Sequence, residues 1–188
     1  MTDKACFRRE VRARVGAMTP AERGVADAQI CAWLATHRPL RRGQLFAAYV
    51  ALPDEVDVAA WWRAAAAEVP IALPRVTADG LVWHAVTANE VLVRGAWGVQ
   101  EPSVEAPVVA ITAIDGFVVP GRAFDASGRR LGRGGGSSDR ALALARPEAW
   151  TVGVGYACQH QQALPHDPWD RSVGLLLDER GARAPQRD

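Results

Sequence analysis

A run of glycines and arginines in the second half of the chain constrains its fold and function more than any other segment. Residues 128–140 contain five glycines, four arginines and one carboxylate, Asp139. A strand-like apolar run precedes this segment at residues 114–119, and a run of good helix formers follows it at residues 141–145. A glycine loop between a strand and a helix presents backbone N–H groups and a positive helix end to phosphate. The order therefore indicates a phosphate-binding loop.

The same segment does not match the common phosphate-binding motifs. It lacks the Gly-Lys-Ser/Thr of a P-loop, and Ser137 stands where the G-x-G-x-x-G motif requires its third glycine. A flexible surface loop with solvated arginines is an equally weighted alternative. The pattern alone leaves both interpretations open.

Composition narrows the class of protein. The 188 residues suit one domain with its own core, which we predict for residues 1–188 with a frayed tail from about residue 181. The formal net charge of +1 gives no global field that favours nucleic acid or a membrane. No apolar run approaches membrane-spanning length, and residues 1–4 lead into a charged helix rather than an apolar signal segment. Three widely spaced cysteines fit a reduced chain. We expect a cytoplasmic monomer that binds small molecules.

Periodic apolar patterns predict helices that alternate with strands. We expect helices at residues 4–18, 19–37 and 54–68, and Thr19-Pro20-Ala21-Glu22 has the composition of a capping box. Strands are expected at residues 45–50, 69–73, 81–86, 114–119, 150–156 and 173–177. This alternation predicts a single-domain α/β layered fold with a largely parallel or mixed central sheet flanked by helices.

Ordered motifs along nearly the whole chain resemble those of the 5-formyltetrahydrofolate cyclo-ligase (5,10-methenyltetrahydrofolate synthetase) family. Each motif is weak by itself, and their common order makes the resemblance specific. In chain order they are Lys4-x-x-Phe7-Arg8, Tyr49 to Val58 with Glu55-Val56-Asp57, Leu73-Pro74-Arg75-Val76, Gly98-Val99-Gln100-Glu101-Pro102, Val119-Pro120-Gly121 through Phe124-Asp125 and Arg130-Leu131-Gly132 to Asp139-Arg140, and a tail of Gly155-Tyr156, Gln159, Leu164-Pro165 and Asp170.

The resemblance implies an activity, its co-substrate and its cofactor. Members of that family use ATP and Mg²⁺ to close 5-formyltetrahydrofolate to 5,10-methenyltetrahydrofolate, releasing ADP and phosphate, in one-carbon folate metabolism. Sheet layers of this kind also occur in sugar-phosphate isomerases and CoA transferases, which is an analogy of fold alone.

The resemblance also assigns roles to individual residues. It implies catalytic roles for Arg133 and Asp139, and metal binding by Asp139 and Asp170. The ATP-binding positions are Lys4, Arg8, Arg130, Leu131, Gly132, Arg133, Gly134, Gly135, Gly136, Ser137 and Ser138. The substrate-binding positions are Val50, Glu55, Trp97, Arg133, Gly134, Gly135, Gly136 and Ser137, and Tyr156 is a further candidate for stacking on a flat ring.

Most of these residues also have an ordinary structural interpretation. Lys4 and Arg8 lie one helical turn apart, which suits a polyphosphate but also any solvated helix. Asp139 in a first helical turn is favoured by the helix dipole alone. Glu55 could accept two hydrogen bonds from a pterin edge, or simply begin a helix after Pro53.

The sequence departs from the family pattern inside the expected site. Ser137-Ser138 replaces a Tyr-Tyr pair, although serine still permits helix capping. Trp169 replaces a histidine, Gly174 an acid and Val58 a threonine. We therefore weigh an active cyclo-ligase against a divergent nucleotide- or folate-binding protein that has lost turnover. The near-neutral charge and the absence of an aromatic RNA-binding motif argue against a third possibility, an RNA-binding module.

Overall fold

The computed structural model describes residues 3–37, 43–95 and 98–186. Its central feature is an eight-stranded sheet. Within those residues there are four α-helices: α1 (Lys4–Ala17), α2 (Pro20–His37), α3 (Ala59–Ala65) and α4 (Ser137–Leu144). The strands are β1 (Phe46–Ala47), β2 (Ile71–Thr77), β3 (Gly80–Val86), β4 (Val93–Arg94), β5 (Gln100–Glu101), β6 (Val108–Val109), β7 (Gly116–Pro120), β8 (Ala123–Asp125), β9 (Arg130–Leu131), β10 (Trp150–Val154), β11 (His160–Gln161), β12 (Leu175–Asp178) and β13 (Gly181–Arg183).

The large sheet has the strand order β13-β12-β10-β7-β1-β2-β3-β6. Its five middle strands, from β12 to β2, run parallel, whereas β13, β3 and β6 are antiparallel to their neighbours. The expected α/β fold with a largely parallel, mixed sheet is therefore confirmed.

Alternating apolar residues give this sheet two buried faces, because successive side chains of a strand point to opposite sides. In β7, Val118 joins the core cluster that contains Val11, Ile30 and Trp62 from α1, α2 and α3. Its neighbour Phe117 joins the second cluster, which contains Ala141 of α4. The central strands are therefore covered by helices on both sides.

The predicted start of the second helix is confirmed in its details. Thr19 N donates to Glu22 Oε2 over 2.7 Å, and Glu22 N donates to Thr19 Oγ1 over 3.2 Å. Each side chain thus satisfies a backbone donor of the other residue, as in a capping box. The helix extends to His37, where the sequence pattern places its end.

A small sheet that the sequence pattern does not reveal carries the glycine loop. Its order is β11-β8-β9, and Asp125 fixes the turn between β8 and β9. Asp125 Oδ1 accepts from the backbone N of Ser127 and of Arg129, both over 3.0 Å, and Oδ2 accepts from Leu164 N over 3.0 Å. The glycine loop therefore leaves β9 from an ordered base.

Three expectations from the sequence are corrected. The tail does not fray at residue 181, because Gly181–Arg183 pairs antiparallel with β12. The helix expected at residues 54–68 is shorter and spans Ala59–Ala65; the N–H of Ala59 donates to Asp57 Oδ1 over 2.9 Å, which satisfies a backbone donor at the helix start. Neither serine caps α4: the N-cap is Gly136, in a left-handed conformation with φ of 67°.

Within the described residues, no helix is both long enough and apolar enough to cross a lipid bilayer.

Candidate active site

A cavity of about 470 Å³ lies where β2 and β7 end and the glycine loop begins. Ligands of open α/β sheets bind at the carboxyl ends of parallel strands, and this cavity has that position. Residues from five separate parts of the chain line it. They are Leu52, Glu55, Val76, Thr77, Ala78, Gly80, Val99, Pro120, Gly121, Arg122, Arg130, Gly132, Arg133, Gly135, Gly136, Ser137, Ser138, Asp139 and Arg140.

Two arginines on neighbouring helices hold the backbone of the glycine loop, residues 132–136, in place. Arg8 Nε of α1 donates to Gly132 O over 2.8 Å, and Arg140 Nη1 of α4 donates to Gly135 O over 2.8 Å. Gly134 has φ of 114°, a conformation that residues with a Cβ rarely adopt. Because the loop then enters the first turn of α4, its backbone N–H groups and the helix dipole suit an anionic ligand.

Lys4 reaches two carboxylates of the loop that follows β11. Its Nζ lies 2.8 Å from Asp167 Oδ2 and 2.6 Å from Asp170 Oδ2. Desolvation opposes the charge on Lys4, but the hydrogen bonds that its Nζ donates to both aspartates leave the Lys4 pKa raised. Desolvation likewise opposes ionisation of Asp170, and the bonds from Lys4 and from Asp167 N outweigh it and lower the Asp170 pKa. Both groups are charged at neutral pH.

Asp139 is paired with a buried arginine. Its Oδ1 accepts from Arg130 Nη2 over 2.7 Å, and the Arg130 side chain is only 2% exposed. The same Oδ1 accepts from Arg171 N over 3.2 Å, which brings Asp139 against the residue that follows Asp170. The charge of Arg130 also favours the ionised form of Asp170. The two aspartates implied for metal binding thus belong to one charged cluster.

This cluster has a donor set that fits a magnesium ion bound together with phosphate. Across the described ranges, no three His, Cys, Asp or Glu side chains are grouped so that they could hold a metal by themselves. Mg²⁺ typically takes one or two carboxylates from the protein and its other ligands from substrate phosphates and water. Asp139 and Asp170 meet that requirement.

Four charged side chains form a second cluster, which includes Arg133 of the glycine loop. Arg133 Nη2 donates to Asp54 Oδ1, and Arg133 Nε donates to Glu55 Oε1 over 3.1 Å. Arg122 Nη1 donates to the other oxygen of Asp54. Desolvation would raise the Asp54 pKa, but the two arginines outweigh it and leave the pKa lowered. Glu55 Oε2 accepts from Leu52 N over 3.1 Å. A carboxylate implied for substrate binding therefore lies against the arginine implied for catalysis.

The structure brings most residues expected at the site to the central cavity. Glu55, Arg130, Gly132, Arg133, Gly135, Gly136, Ser137, Ser138 and Asp139 line it. Lys4, Arg8 and Asp170 lie next to it through the contacts described above. Gly134 lies beside the Arg8 guanidinium.

Other expected residues have different surroundings. Leu131 is buried in the core, and Val50 is half-buried and packs against the same core cluster. The Tyr156 ring is 1% exposed, so the expectation that it stacks on a ligand is wrong; its hydroxyl donates to Asp27 Oδ1 over 2.9 Å. Trp97 lies outside the described residues.

Sequence reasoning missed three charged residues of the site. They are Asp54, Arg122 and Asp167. Asp54 pairs with Arg133 and Asp167 pairs with Lys4, both of which the motifs identified, whereas Arg122 pairs with Asp54. Asp54 directly precedes Glu55, and Asp167 precedes Asp170 by three residues. That proximity in the chain was the only available signal.

Comparisons with known proteins show which family the chain belongs to. Residues 1–178 match the model of the 5-formyltetrahydrofolate cyclo-ligase family. A 5-formyltetrahydrofolate cyclo-ligase of Escherichia coli K12 is 29% identical over 171 residues, covering 85% of this chain and 91% of the relative.

Two solved structures of 5,10-methenyltetrahydrofolate synthetases are similar to this chain. The NMR structure of Aquifex aeolicus 5,10-methenyltetrahydrofolate synthetase superposes with a TM-score of 0.87 at 30% identity, over 98% of this chain and 94% of that one. A 5,10-methenyltetrahydrofolate synthetase from Mycoplasma pneumoniae shares the fold, with a TM-score of 0.76 at 22% identity over 95% and 99% of the two chains. The chain therefore belongs to the 5-formyltetrahydrofolate cyclo-ligase family, a family of ATP-dependent ligases.

Proposed function

We propose that this chain closes 5-formyltetrahydrofolate to 5,10-methenyltetrahydrofolate in a reaction that consumes ATP and requires Mg²⁺. Family membership supports the overall conversion and the use of ATP. The observation that carries the proposal for this particular chain is that one cavity is lined both by the glycine loop and by Glu55. A phosphate-binding element and a carboxylate suited to a pterin edge thus face the same space.

The reaction joins a phosphoryl transfer to a ring closure. The oxygen of the formyl group carried by N5 attacks the γ-phosphorus of ATP. The bond between the γ-phosphorus and the β,γ-bridging oxygen breaks and releases ADP. N10 then attacks the activated formyl carbon and loses its proton. The carbon–oxygen bond breaks last, phosphate leaves with the oxygen, and the new N10–carbon bond completes the methenyl bridge. Phosphorylation converts a poor leaving group into a good one.

Phosphoryl transfer depends mainly on positioning and on neutralising charge. In our proposal the loop amides between Gly132 and Ser138 and the side chains of Lys4 and Arg8 bind the polyphosphate. Arg133 lines the cavity and would neutralise charge on the transferred group. Glu55 would bind the pterin edge through its carboxylate.

A magnesium ion would be held by Asp139 and Asp170. When bound, it would supply positive charge to the phosphate oxygens. Lys4 and Arg130 pair with these carboxylates, and Lys4 also pairs with Asp167, so the cluster contains three carboxylates and two cations. Lys4 would then turn from Asp170 to the nucleotide.

The three cysteines Cys6, Cys31 and Cys158 are free, which fits the reducing cytoplasm that we propose as the location of the enzyme. We also propose that it acts as a monomer.

The decisive experiment is an assay of the purified chain with 5-formyltetrahydrofolate, ATP and Mg²⁺. We expect the absorbance of the methenyl product to grow, and to stop growing when ATP or Mg²⁺ is omitted. A reaction without folate controls for ATP hydrolysis that is not coupled to ring closure. If no product forms at high protein concentration while ATP still raises the melting temperature, the chain is a binding protein and the proposal is wrong.

A further inference from the structure

Asp54 is the centre of an ion-pair network beside the central cavity, although it does not line that cavity itself. One carboxylate oxygen accepts from Arg133 of the glycine loop and the other accepts from Arg122. Arg122 and Arg133 both line the cavity. Asp54 therefore contacts the lining of the cavity through the two guanidinium groups that it holds.

Arg122 is firmly anchored to the small sheet by its backbone. Its N–H donates to Leu131 O over 2.7 Å, and its carbonyl accepts from Gln159 Nε2 over 3.0 Å. Its side chain is mostly buried, with 11% exposed. The contacts thus run from the ordered sheet through Arg122 to Asp54, and from Asp54 to Arg133.

Arg133 itself has little local support. It lies between Gly132 and Gly134, and its side chain is 41% exposed. The loop is tied down at Gly132 by Arg8 and at Gly135 by Arg140, but those bonds reach only its backbone. Glycine neighbours leave the chain many alternative conformations, so the guanidinium needs side-chain partners to keep one position.

Its two partners differ in what a bound substrate would do to them. Glu55 bonds Arg133 through Oε1, and a pterin that hydrogen-bonds to Glu55 would compete for this oxygen. Asp54 has both its oxygens committed to arginines and does not line the cavity. It can keep holding Arg133 after Glu55 has turned to the substrate.

We propose that Asp54, anchored by Arg122, is the positioning residue that holds the Arg133 guanidinium for phosphoryl transfer. This inference rests on the proposed function, in which Arg133 neutralises charge on the transferred group. It goes beyond the family resemblance, which assigns no role to Asp54 or Arg122.

The kinetic test uses Asp54→Asn, which keeps the shape of the side chain and removes its charge. We expect kcat to fall by about 100-fold, the scale expected when a catalytic group is misplaced, while the KM for 5-formyltetrahydrofolate changes by less than about threefold. Asp54→Glu should recover part of kcat because it restores the carboxylate. Asp57→Asn, a nearby exposed carboxylate outside this network, is the matched control and should retain wild-type kcat.

A double-mutant cycle tests whether Asp54 acts through Arg133. In an Arg133→Gln background, adding Asp54→Asn should lower kcat by no more than about twofold, since the group that Asp54 positions is already gone. Full additivity of the two losses would overturn the proposal. So would an Asp54→Asn variant with wild-type kcat.

Hydrogen exchange supplies a readout that does not need turnover. Asp54→Asn should speed amide exchange in residues 132–136 by about fivefold, the effect of losing one charge-assisted bond, and leave β10 unchanged. Unchanged loop exchange would show that Asp54 does not hold the loop and would overturn the inference. If the wild type forms no methenyl product, the proposed function fails, and the exchange result still decides whether Asp54 restrains the loop.

Discussion

Lys4 Nζ lies 2.6 Å from Asp170 Oδ2, so the first helix is tied to a loop 166 residues further along the chain. The pair joins a cation proposed to bind ATP to a carboxylate proposed to bind Mg²⁺. In our proposal, binding of nucleotide and metal replaces this contact.

This relationship predicts opposite effects of one substitution on the two ligands. Lys4→Met should raise the KM for ATP by roughly 10- to 100-fold, because a charge-assisted contact to phosphate is lost. It should also strengthen Mg²⁺ binding in the absence of ATP, because Asp167 and Asp170 lose their cation. Steady-state kinetics and calorimetric Mg²⁺ titration measure the two effects. Lys4→Arg, which retains the charge, is the control, and an unchanged ATP KM in Lys4→Met would contradict the assignment.

Asp139 is predicted to contribute to stability as well as to activity. Asp139→Ala removes the carboxylate paired with Arg130, whose side chain is 2% exposed, and breaking such a buried pair costs about 3–5 kcal/mol. Asp139→Asn keeps an acceptor oxygen and should lose less of the unfolding free energy, while still abolishing Mg²⁺-dependent turnover. Urea denaturation measures the unfolding free energy, and the absorbance assay of the methenyl product measures the turnover. An Asn variant with wild-type activity would remove Asp139 from the mechanism.

The shape of the glycine loop is predicted to depend on Gly134 more than on Gly135. Its φ of 114° is unfavourable for any residue with a Cβ, and such strain costs roughly 1–3 kcal/mol. Gly134→Ala should therefore lower kcat/KM by at least about tenfold. Gly135→Ala is the matched control, since its added Cβ would come no closer than 3.8 Å to Ser137 Oγ. Equal losses in the two variants would contradict this interpretation of the loop.

Ser137 and Ser138 line the central cavity where the family pattern has two tyrosines. Ser137→Tyr and Ser138→Tyr should each lower the KM for nucleotide or folate by roughly tenfold, because a stacked ring adds about 1 kcal/mol or more. Ser138→Leu tests for apolar bulk without an aromatic face. If the tyrosine variants leave both Michaelis constants unchanged, this part of the loop does not contact a planar ligand.

Asp178 makes the stability of the C-terminal strands depend on pH. Its carboxylate is 1% exposed and lies 2.8 Å from Arg183 Nη2 of β13 and 3.0 Å from His160 Nε2. Burial would raise its pKa, but the interactions with His160, Arg180 N and Arg183 outweigh this and lower the pKa. A lowered native pKa means that the contribution to stability is complete above the unfolded value of about 3.9 and is lost as the pH falls through the native value.

Asp178→Asn should accordingly lower the unfolding free energy by about 1.5–3 kcal/mol at pH 7, as expected for hydrogen bonds to a charged group. The difference from the wild type should shrink as the pH falls below about 3.9. Urea denaturation at pH 7, 5 and 3 measures it. A difference that stays constant down to pH 3 would mean that ionisation of Asp178 does not stabilise the fold.

The long elements of this protein could be predicted from its sequence because each carries its own periodic signal. The second helix has a capping box at Thr19 and an apolar stripe up to its end at His37, and β7 and β10 are apolar runs bounded by turns. In contrast, β8, β9 and β11 have only two or three residues each. Such short strands have no period to detect, and their pairing depends on residues far apart in the chain.

The sequence by itself determined the α/β layers, the position of the glycine loop and, through ordered motifs, the family. Only the tertiary structure decided which charged groups face each other. Arg122 and Asp54 are 68 residues apart, and Lys4 and Asp170 are 166 residues apart. No local sequence pattern predicts either pair. The physical reason is that secondary structure follows from neighbouring residues, whereas the ion pairs around the cavity exist only after the parallel strands have brought distant loops to one edge of the sheet.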